Sequence, residues 1–532
     1  MVIATMSRGD DRLAARKGQK LNMFTLCDIS KKGARLWGTK CALVFGEQRT
    51  SYEQLELDVV AIASTLIKMG LEPGARVALL SENSDLYIKV MLGVMRAGCV
   101  PVPLNYRLSA QELSVIVDHA EPSLLVFDTI SDILVRELQA KTSIRHWRCL
   151  DKEWQGKASF ESEWAIAETA TDFPVTEEND LALLVYTGGT TGQSKGVMIT
   201  HRNALSAFTS QIFHFNFRPD DVACQALPLF HVAFWPTFCH LMIGATTVIV
   251  SRATPDDILQ TIQREGCTNL NLVPTVYAMM LNEPRLPDYD VSSLRLLSYG
   301  GSPFPVPTLR RAIEVFGPIF AGGYGLTEAA PSVAVLGPEF HKLDDLDSHV
   351  LASAGREMSC VEVRAVTPDG RAASADEPGE IMVRGPNIMK GYWRNPELTA
   401  EKVKNGWLHT GDIGYLDTDG FIYLMDRKAD MIVTGGENVY PAEVESVLLQ
   451  HNAISECAVV ARPHDVWGEE VCAVVVLRDG YEVTGEELRR HCKVNLAPYK
   501  TPKAIEFWSE LPKSTVGKIL RREIRNTIKS EK

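Results

Sequence analysis

The sequence predicts an α/β protein: a large N-terminal domain of layered α/β sheets, then a small α+β C-terminal domain. Three observations carry this. The chain has 532 residues, more than one hydrophobic core accommodates. Apolar runs of strand length alternate with helix-periodic segments through the first 430 residues. From Pro441 the elements shorten and crowd into about 90 residues, enough for one separate compact unit.

Taken in order, Ala42–Phe45 is a short apolar strand. Ser51 and Gln54 have capping-box spacing, and Leu55, Val59, Ile62 and Leu66 follow at helical intervals. Val77–Leu80 reads as a buried strand, Leu86–Ala97 as a helix and Val100–Leu104 as extended chain. Ser123–Phe127 and Thr246–Val250 repeat the theme, so largely parallel sheets are expected. No repeat of roughly 20–50 residues suggests a solenoid. In the small domain a helix is expected at Ala442–Gln450 and strands at Cys457–Val460 and Val471–Leu477. A second helix follows at Glu486–Asn495. The charged stretch Asp426–Asp430 is the expected hinge, dividing the chain into residues 1–428 and 429–532.

Composition narrows the function. An apolar fraction of 45% with 23% charged residues is that of an ordinary globular protein. A net charge of -12 argues against a general nucleic-acid or membrane-surface binder, though a local basic patch for phosphates is compatible with it. The eleven cysteines are scattered without a CxxC pair, as in a reducing, cytoplasmic setting. Met1–Lys20 is charged and lacks the apolar core of a signal peptide. Leu241–Val250 is too short to span a bilayer, so no integral membrane contact is expected. Peripheral contact and assembly as a homodimer stay open.

The densest signal follows the apolar strand Leu181–Val185. Tyr186-Thr187-Gly188-Gly189-Thr190-Thr191-Gly192-Gln193-Ser194-Lys195-Gly196 combines four glycines, three threonines, a serine and a lysine. Glycines let backbone N–H groups close on an anion, and the hydroxyls and Lys195 add donors, so the loop suits a polyphosphate. It is not a Walker A loop, because Ser194 precedes the lysine and Gly196 follows it. The β-branched Val197–Ile199 predicts strand–loop–strand.

This loop resembles the phosphate-binding signature of the adenylate-forming superfamily, which includes acyl-CoA synthetases, aryl-CoA ligases, luciferases and peptide-synthetase adenylation domains. Further motifs follow in that family's order, as far as Lys518. The resemblance implies an ATP-dependent acid:CoA ligase with a mobile C-terminal domain, using ATP, Mg2+ and CoA. In Gly323-Tyr324-Gly325-Leu326-Thr327-Glu328 it puts Tyr324 on adenine, Thr327 on the α-phosphate and Glu328 on magnesium, with Thr190 as a second metal contact. It lays Tyr299-Gly300-Gly301-Ser302-Pro303 along the adenine and the acyl pocket; alone, that string is a turn. It gives Asp412, in His409-Thr410-Gly411-Asp412, the ribose hydroxyls, with Arg427 beside it. His231, in Leu227-Pro228-Leu229-Phe230-His231-Val232, would border the acid, although a histidine in an apolar run is ordinarily a core residue. Lys518, near the end of Leu511–Ile519, would be the mobile catalytic lysine; by residue chemistry alone it is a surface lysine. Gly435, Gly436 and Glu437 would line the CoA pantetheine tunnel, and the same residues read equally as a turn before a helix opening on Pro441. One departure stands out: the family usually has Asp or Lys two residues after the hinge arginine, where this chain has Ala429.

In the implied reaction ATP turns the acid's carboxylate oxygen into a leaving group, AMP, and a thiol then takes the acyl group. Val232–Phe238 holds no carboxylate for an amino-acid ammonium. The pocket expected from His231, Val232, Trp235, Gly300, Gly325 and Ala330, with Phe234, Tyr277, Met279, Met280 and Val333, is apolar, fitting a fatty or a hydrophobic aryl or cyclic acid. Such residues also serve as ordinary core. The alternatives are an enzyme loading a carrier protein and a non-catalytic acyl- or nucleotide-binding regulator. The chain stops shortly after Lys518 with no carrier domain, which favours free CoA.

Overall fold

The computed structural model describes residues 24–170, 172–187, 194–231, 234–252, 254–342, 349–427, 430–434, 437–464, 468–496, 498–513 and 519–530. The chain opens with the helix Ile29–Trp37 and the hairpin β1 (Cys41–Phe45) and β2 (Gln48–Ser51). The helix Tyr52–Lys68 starts where Ser51 accepts from the Gln54 amide at 3.1 Å. The expected capping box is only half made, because the Gln54 side chain turns to Asp58 at 2.8 Å instead of back to the cap. This helix packs on Asp85–Arg96 so closely that a Cβ at Gly93 would lie 2.4 Å from an Ile62 methyl.

Strands β3 (Arg76–Leu80), β4 (Val100–Pro103), β5 (Leu124–Phe127) and β6 (His146–Cys149) form an all-parallel sheet in the order β4-β3-β5-β6. The chain then makes the antiparallel pair β7 (Leu181–Thr187) and β8 (Lys195–Thr200). It next enters the parallel strands β9 (Val222–Gln225), β10 (Thr246–Ile249), β11 (Asn269–Leu272), β12 (Leu296–Gly300) and β13 (Phe320–Tyr324). With β1 and β2 on one side and β14 (Ala334–Leu336) and β15 (Arg356–Glu357) on the other, these make a nine-stranded sheet. Its order is β15-β14-β13-β12-β11-β9-β10-β1-β2. The interior strands are parallel, and antiparallel strands close both edges.

The expectation of largely parallel sheets fails beyond this point. Strands β16 (Glu362–Val366), β17 (Gly379–Arg384), β18 (Gly391–Tyr392), β19 (Val403–Lys404), β20 (Trp407–Leu416) and β21 (Ile422–Arg427) pair antiparallel throughout. Five of them form their own sheet, and β18 adds to β8 and β7. Alternate burial along Glu362–Val366 marks a sheet with one face in the core and one in water.

The C-terminal residues form another sheet, β22 (Ile432–Thr434), β23 (Glu437–Val439), β24 (Ile454–His464), β25 (Gly468–Leu477) and β26 (Ala504–Phe507), with helices Pro441–Leu448, Gly485–Asn495 and Arg521–Ser530. Both long strands exceed the expected ranges, since their charged ends still pair, as Arg462 with Glu470 does. Pro441 opens its helix at the first position as expected. All eleven cysteines are free thiols, and among the described residues no helix is long and apolar enough to cross a membrane.

Three buried histidines tie stability to pH. Burial lowers His201, His240 and His341 to about 4 each, so all are neutral near pH 7. His201 accepts a hydrogen bond from the Leu26 amide at 3.2 Å, and His341 lies 3.0 Å from the Tyr299 hydroxyl. Unfolded, each imidazole binds a proton below about pH 6.5, while the folded state does not until about 4. Stability from these groups is therefore complete above pH 6.5 and is lost as pH falls, by up to about 1.4 kcal/mol per pH unit for each histidine. Urea unfolding between pH 7 and 5 should give a steadily falling midpoint, with the slope reduced in His201→Gln.

Candidate active site

The parallel strands of the nine-stranded sheet present their carboxyl ends along one edge, where α/β sheets bind ligands. β12 delivers Gly300–Pro303 there and β13 delivers Gly323–Glu328. The two ends meet closely, because a Cβ on Gly300 would stand 2.8 Å from the Gly323 carbonyl oxygen. Gly301 takes φ +80°, turning the chain outward, and Ser302 and Pro303 keep solvent access.

After Tyr324 the chain folds back on itself. Thr327–Ala329 is a 3-10 turn, Ala330 has φ +45°, and a Cβ at Gly325 would lie 2.3 Å from the Pro331 oxygen. Asn387, almost fully buried, donates to the Ala329 oxygen at 2.8 Å and the Ser332 oxygen at 2.7 Å, fixing the loop that carries Thr327 and Glu328. The Met389 amide adds a bond to the Glu328 oxygen at 2.8 Å.

Two contacts join motifs distant in sequence. The Tyr324 hydroxyl donates to the Asp412 carboxylate at 2.6 Å. Asp412 lies opposite Arg427 in the β20–β21 ladder. Its turn is organised by Thr410, whose hydroxyl donates to the Ile381 oxygen at 2.6 Å and accepts from the Asp412 amide at 3.0 Å. Glu380 accepts from the Gly411 amide at 3.2 Å and stands 3.4 Å from His409. In the second contact the Tyr392 hydroxyl donates to Glu328 at 2.8 Å. The Lys195 ammonium lies 5.8 Å from the centre of the same Tyr392 ring. Burial, then the Glu328 charge, pushes the Tyr392 phenol up, so it stays protonated and remains the donor.

Lys195 begins β8 opposite Thr187, where β7 ends, so the glycine-rich segment connects two antiparallel neighbours as expected. Gly188, Gly189, Thr190, Thr191 and Gly192 lie outside the described residues, as do Val232, Ala429, Gly435, Gly436 and Lys518. Glu437 pairs through its backbone with Thr434, forming the hairpin that flanks Gly435–Gly436. Arg427 is likewise placed through its backbone.

His231 is half-buried in the turn after β9, its amide on the Pro228 oxygen at 3.2 Å. Trp235 is 1% exposed, packed 5.3 Å from Phe208 and 4.8 Å from Phe234, and Ala330 is 0% exposed. Both belong to the hydrophobic core with Phe234 and Val333. Tyr277 and Met280 are buried in a second core, and Met279 is on the surface. The sequence missed Tyr392 and Asn387. Tyr392 has a local signal in Gly391-Tyr392-Trp393, an aromatic pair behind a glycine, but its partner is far away in the chain.

The sequence profile of the AMP-binding enzyme family matches residues 31–393, and that of the AMP-binding enzyme C-terminal domain matches residues 443–518. The chain therefore belongs to the AMP-binding enzyme family. It is an acid–thiol ligase of the AMP-forming acyl-CoA synthetase class. It is 37% identical to a feruloyl-CoA synthase of Amycolatopsis sp over 494 residues, 92% of this chain and 96% of that protein. A 2-succinylbenzoate–CoA ligase of Bacillus cereus is 34% identical over 507 residues, 95% and 99% of the two chains. The amide bond synthetase McbA of Marinactinospora thermotolerans superposes with a TM-score of 0.87 at 28% identity, covering 95% of this chain and 100% of that one.

Replacing Tyr392 by Phe leaves Glu328 without this donor while the ring still packs. A hydrogen bond to a charged group is worth about 1.5–3 kcal/mol, so titration calorimetry should show Mg-ATP binding weakened about tenfold or more. The melting temperature should hold nearly constant.

Proposed function

We propose that this enzyme activates an aromatic carboxylic acid as its acyl-adenylate and transfers the acyl group to CoA. The observation that carries the proposal is the convergence of the Tyr324–Asp412 and Lys195–Tyr392–Glu328 contacts at one sheet edge. These motifs offer an aromatic face for adenine, a carboxylate for ribose hydroxyls, a cation for phosphate and a carboxylate for a metal. The aromatic acid is supported by the names of the two relatives, feruloyl-CoA synthase and 2-succinylbenzoate–CoA ligase. A cytoplasmic location is supported by the eleven free thiols.

Magnesium fits Glu328, a partly exposed hard oxygen ligand held in place by Tyr392, with Thr190 as second contact. Bound there, the ion would neutralise phosphate charge. The chain's own residues do the rest. Thr187 to Gly192 and Lys195 hold the polyphosphate, and Thr327 orients the α-phosphate. Gly301, Ser302, Pro303, Gly323 and Tyr324 flank the adenine, and Asp412 and Arg427 secure the ribose. His231 borders the acid carboxylate. Lys518 bridges carboxylate and α-phosphate, stabilising charge that grows as the acid oxygen attacks and pyrophosphate leaves. Lys518 then withdraws and Gly435, Gly436 and Glu437 admit the pantetheine arm. Its thiol attacks the adenylate carbonyl and AMP departs.

Pyrophosphate exchange into ATP should depend on added aromatic acid, and AMP release should depend on CoA. AMP release that proceeds without CoA when an amine is supplied would reassign the acceptor. Lys518→Ala should abolish adenylation in single-turnover assays yet still pass a preformed adenylate's acyl group to CoA. Loss of both half-reactions would refute its assignment.

A further inference from the structure

Strand β20 does not run straight past the site. Against β17, Ile413 pairs with Glu380 but His409 pairs with Met382, so the three residues Thr410–Asp412 stand against the single Ile381. The other edge of β20 slips at nearly the same place, because Ile413 pairs with Asp426 while Gly414 pairs with Leu424. Asp412 therefore sits in a bulge beside a second register break. Bulges of this kind re-aim side chains next to active sites.

Backbone groups that leave a ladder must find other partners or stand unpaired away from water. Thr410 serves two of them, donating to the Ile381 oxygen at 2.6 Å and accepting from the Asp412 amide at 3.0 Å. Gly411, at φ +77°, turns its amide to β17, where Glu380 Oε1 accepts it at 3.2 Å. Oε2 of the same carboxylate stands 3.4 Å from His409 Nδ1. One side chain of β17 thus grips the bulge at both His409 and Gly411. A carboxylate suits the task, since a charged acceptor bonds an amide more strongly than a neutral one.

The phase of the strand is what matters for Asp412. Side chains alternate along a strand, and a slip of one residue carries each of them to the opposite face. With the bulge in place, the Asp412 carboxylate accepts from the Tyr324 hydroxyl at 2.6 Å, across 88 positions of chain. Tyr324 holds the carboxylate, and Glu380 holds the backbone that carries it. We infer that Glu380 is a positioning residue for the nucleotide: by fixing the β20 bulge it aims Asp412 at the ribose and so sets the enzyme's preference for a hydroxylated sugar. The inference rests on the ribose role proposed for Asp412 and adds the residue that enforces it. Glu380 acts through the backbone of Gly411, not through the sugar.

Titration calorimetry of the full chain with Mg-ATP and with Mg-2′,3′-dideoxy-ATP tests this with no acid present. The wild type should bind ATP tighter than the dideoxy analogue by about tenfold or more, because a site built for hydroxyls rejects a ligand lacking them. In Glu380→Leu, which has no acceptor for the Gly411 amide, that ratio should fall by about threefold or more. The fall should come from weaker ATP binding, with dideoxy-ATP affinity and melting temperature nearly constant. Glu380→Gln keeps an acceptor and should keep most of the ratio; a loss there as complete as in the leucine variant overturns the hydrogen bond as its cause. A wild-type ratio in Glu380→Leu overturns the inference, and so does an equal loss of affinity for both nucleotides, the mark of a merely structural role. Failure of both Glu380→Leu and Glu380→Ala to fold overturns it too, since the residue would then serve the fold and not the nucleotide. A wild type that binds both nucleotides equally strikes the ribose role of Asp412 and the inference with it, whereas discrimination that survives in Glu380→Leu strikes the role of Glu380 alone.

Discussion

The segment from Pro386 to Trp393 holds the architecture of the site together. On one side Asn203 donates to the Pro386 oxygen at 2.7 Å and the Ile388 oxygen at 2.8 Å, and Trp393 bonds the Gly196 oxygen at 2.8 Å. On the other, Asn387 and Met389 hold the Glu328 loop. The Tyr392 phenol then reaches the Glu328 carboxylate itself. These bonds are buried or partly buried, so breaking one strands a polar group away from water. A single short stretch thus locks the lysine end of the glycine-rich hairpin to the carboxylate end of β13. The hydrophobic core shared by Val197, Ile199, Ala329 and Val333 backs this connection.

The same economy governs the sheet edge. Gly300, Gly323 and Gly325 sit where an added Cβ would meet backbone or an aromatic ring, so the site is shaped by missing side chains. Polar function is kept at the carboxyl ends of parallel strands, and the strands' middles are core. Trp235 and Ala330 show the consequence: aromatic and small residues beside the site serve packing first. Much of the site's rigidity therefore comes from the hydrophobic effect acting behind it.

Legibility in the sequence followed the range of the interactions. The strand–loop–strand reading of Tyr186–Ile199 needed only local β-branching and the order of Ser194, Lys195 and Gly196. The parallel strands β3, β5 and β10 were visible as apolar runs because they are buried on both faces. The antiparallel sheet of residues 362–427 was not, since a half-buried strand such as Glu362–Val366 shows only weak alternation. Half of the capping box at Ser51 failed for a similar reason: Asp58, one helical turn on, competed for the Gln54 amide.

By itself the sequence determined the chemistry on offer: the donors of the glycine-rich loop, the aromatic, hydroxyl and carboxylate of Tyr324, Thr327 and Glu328, and the order of the motifs. It determined the α/β class as well, because backbone propensity and hydrophobic period are local properties. Only the tertiary structure decided that Tyr392 serves Glu328 and that Tyr324 meets Asp412. Those pairings join residues 64 and 88 positions apart. Their energy depends on distances that exist only once the sheets have packed, and no spacing along the chain encodes them.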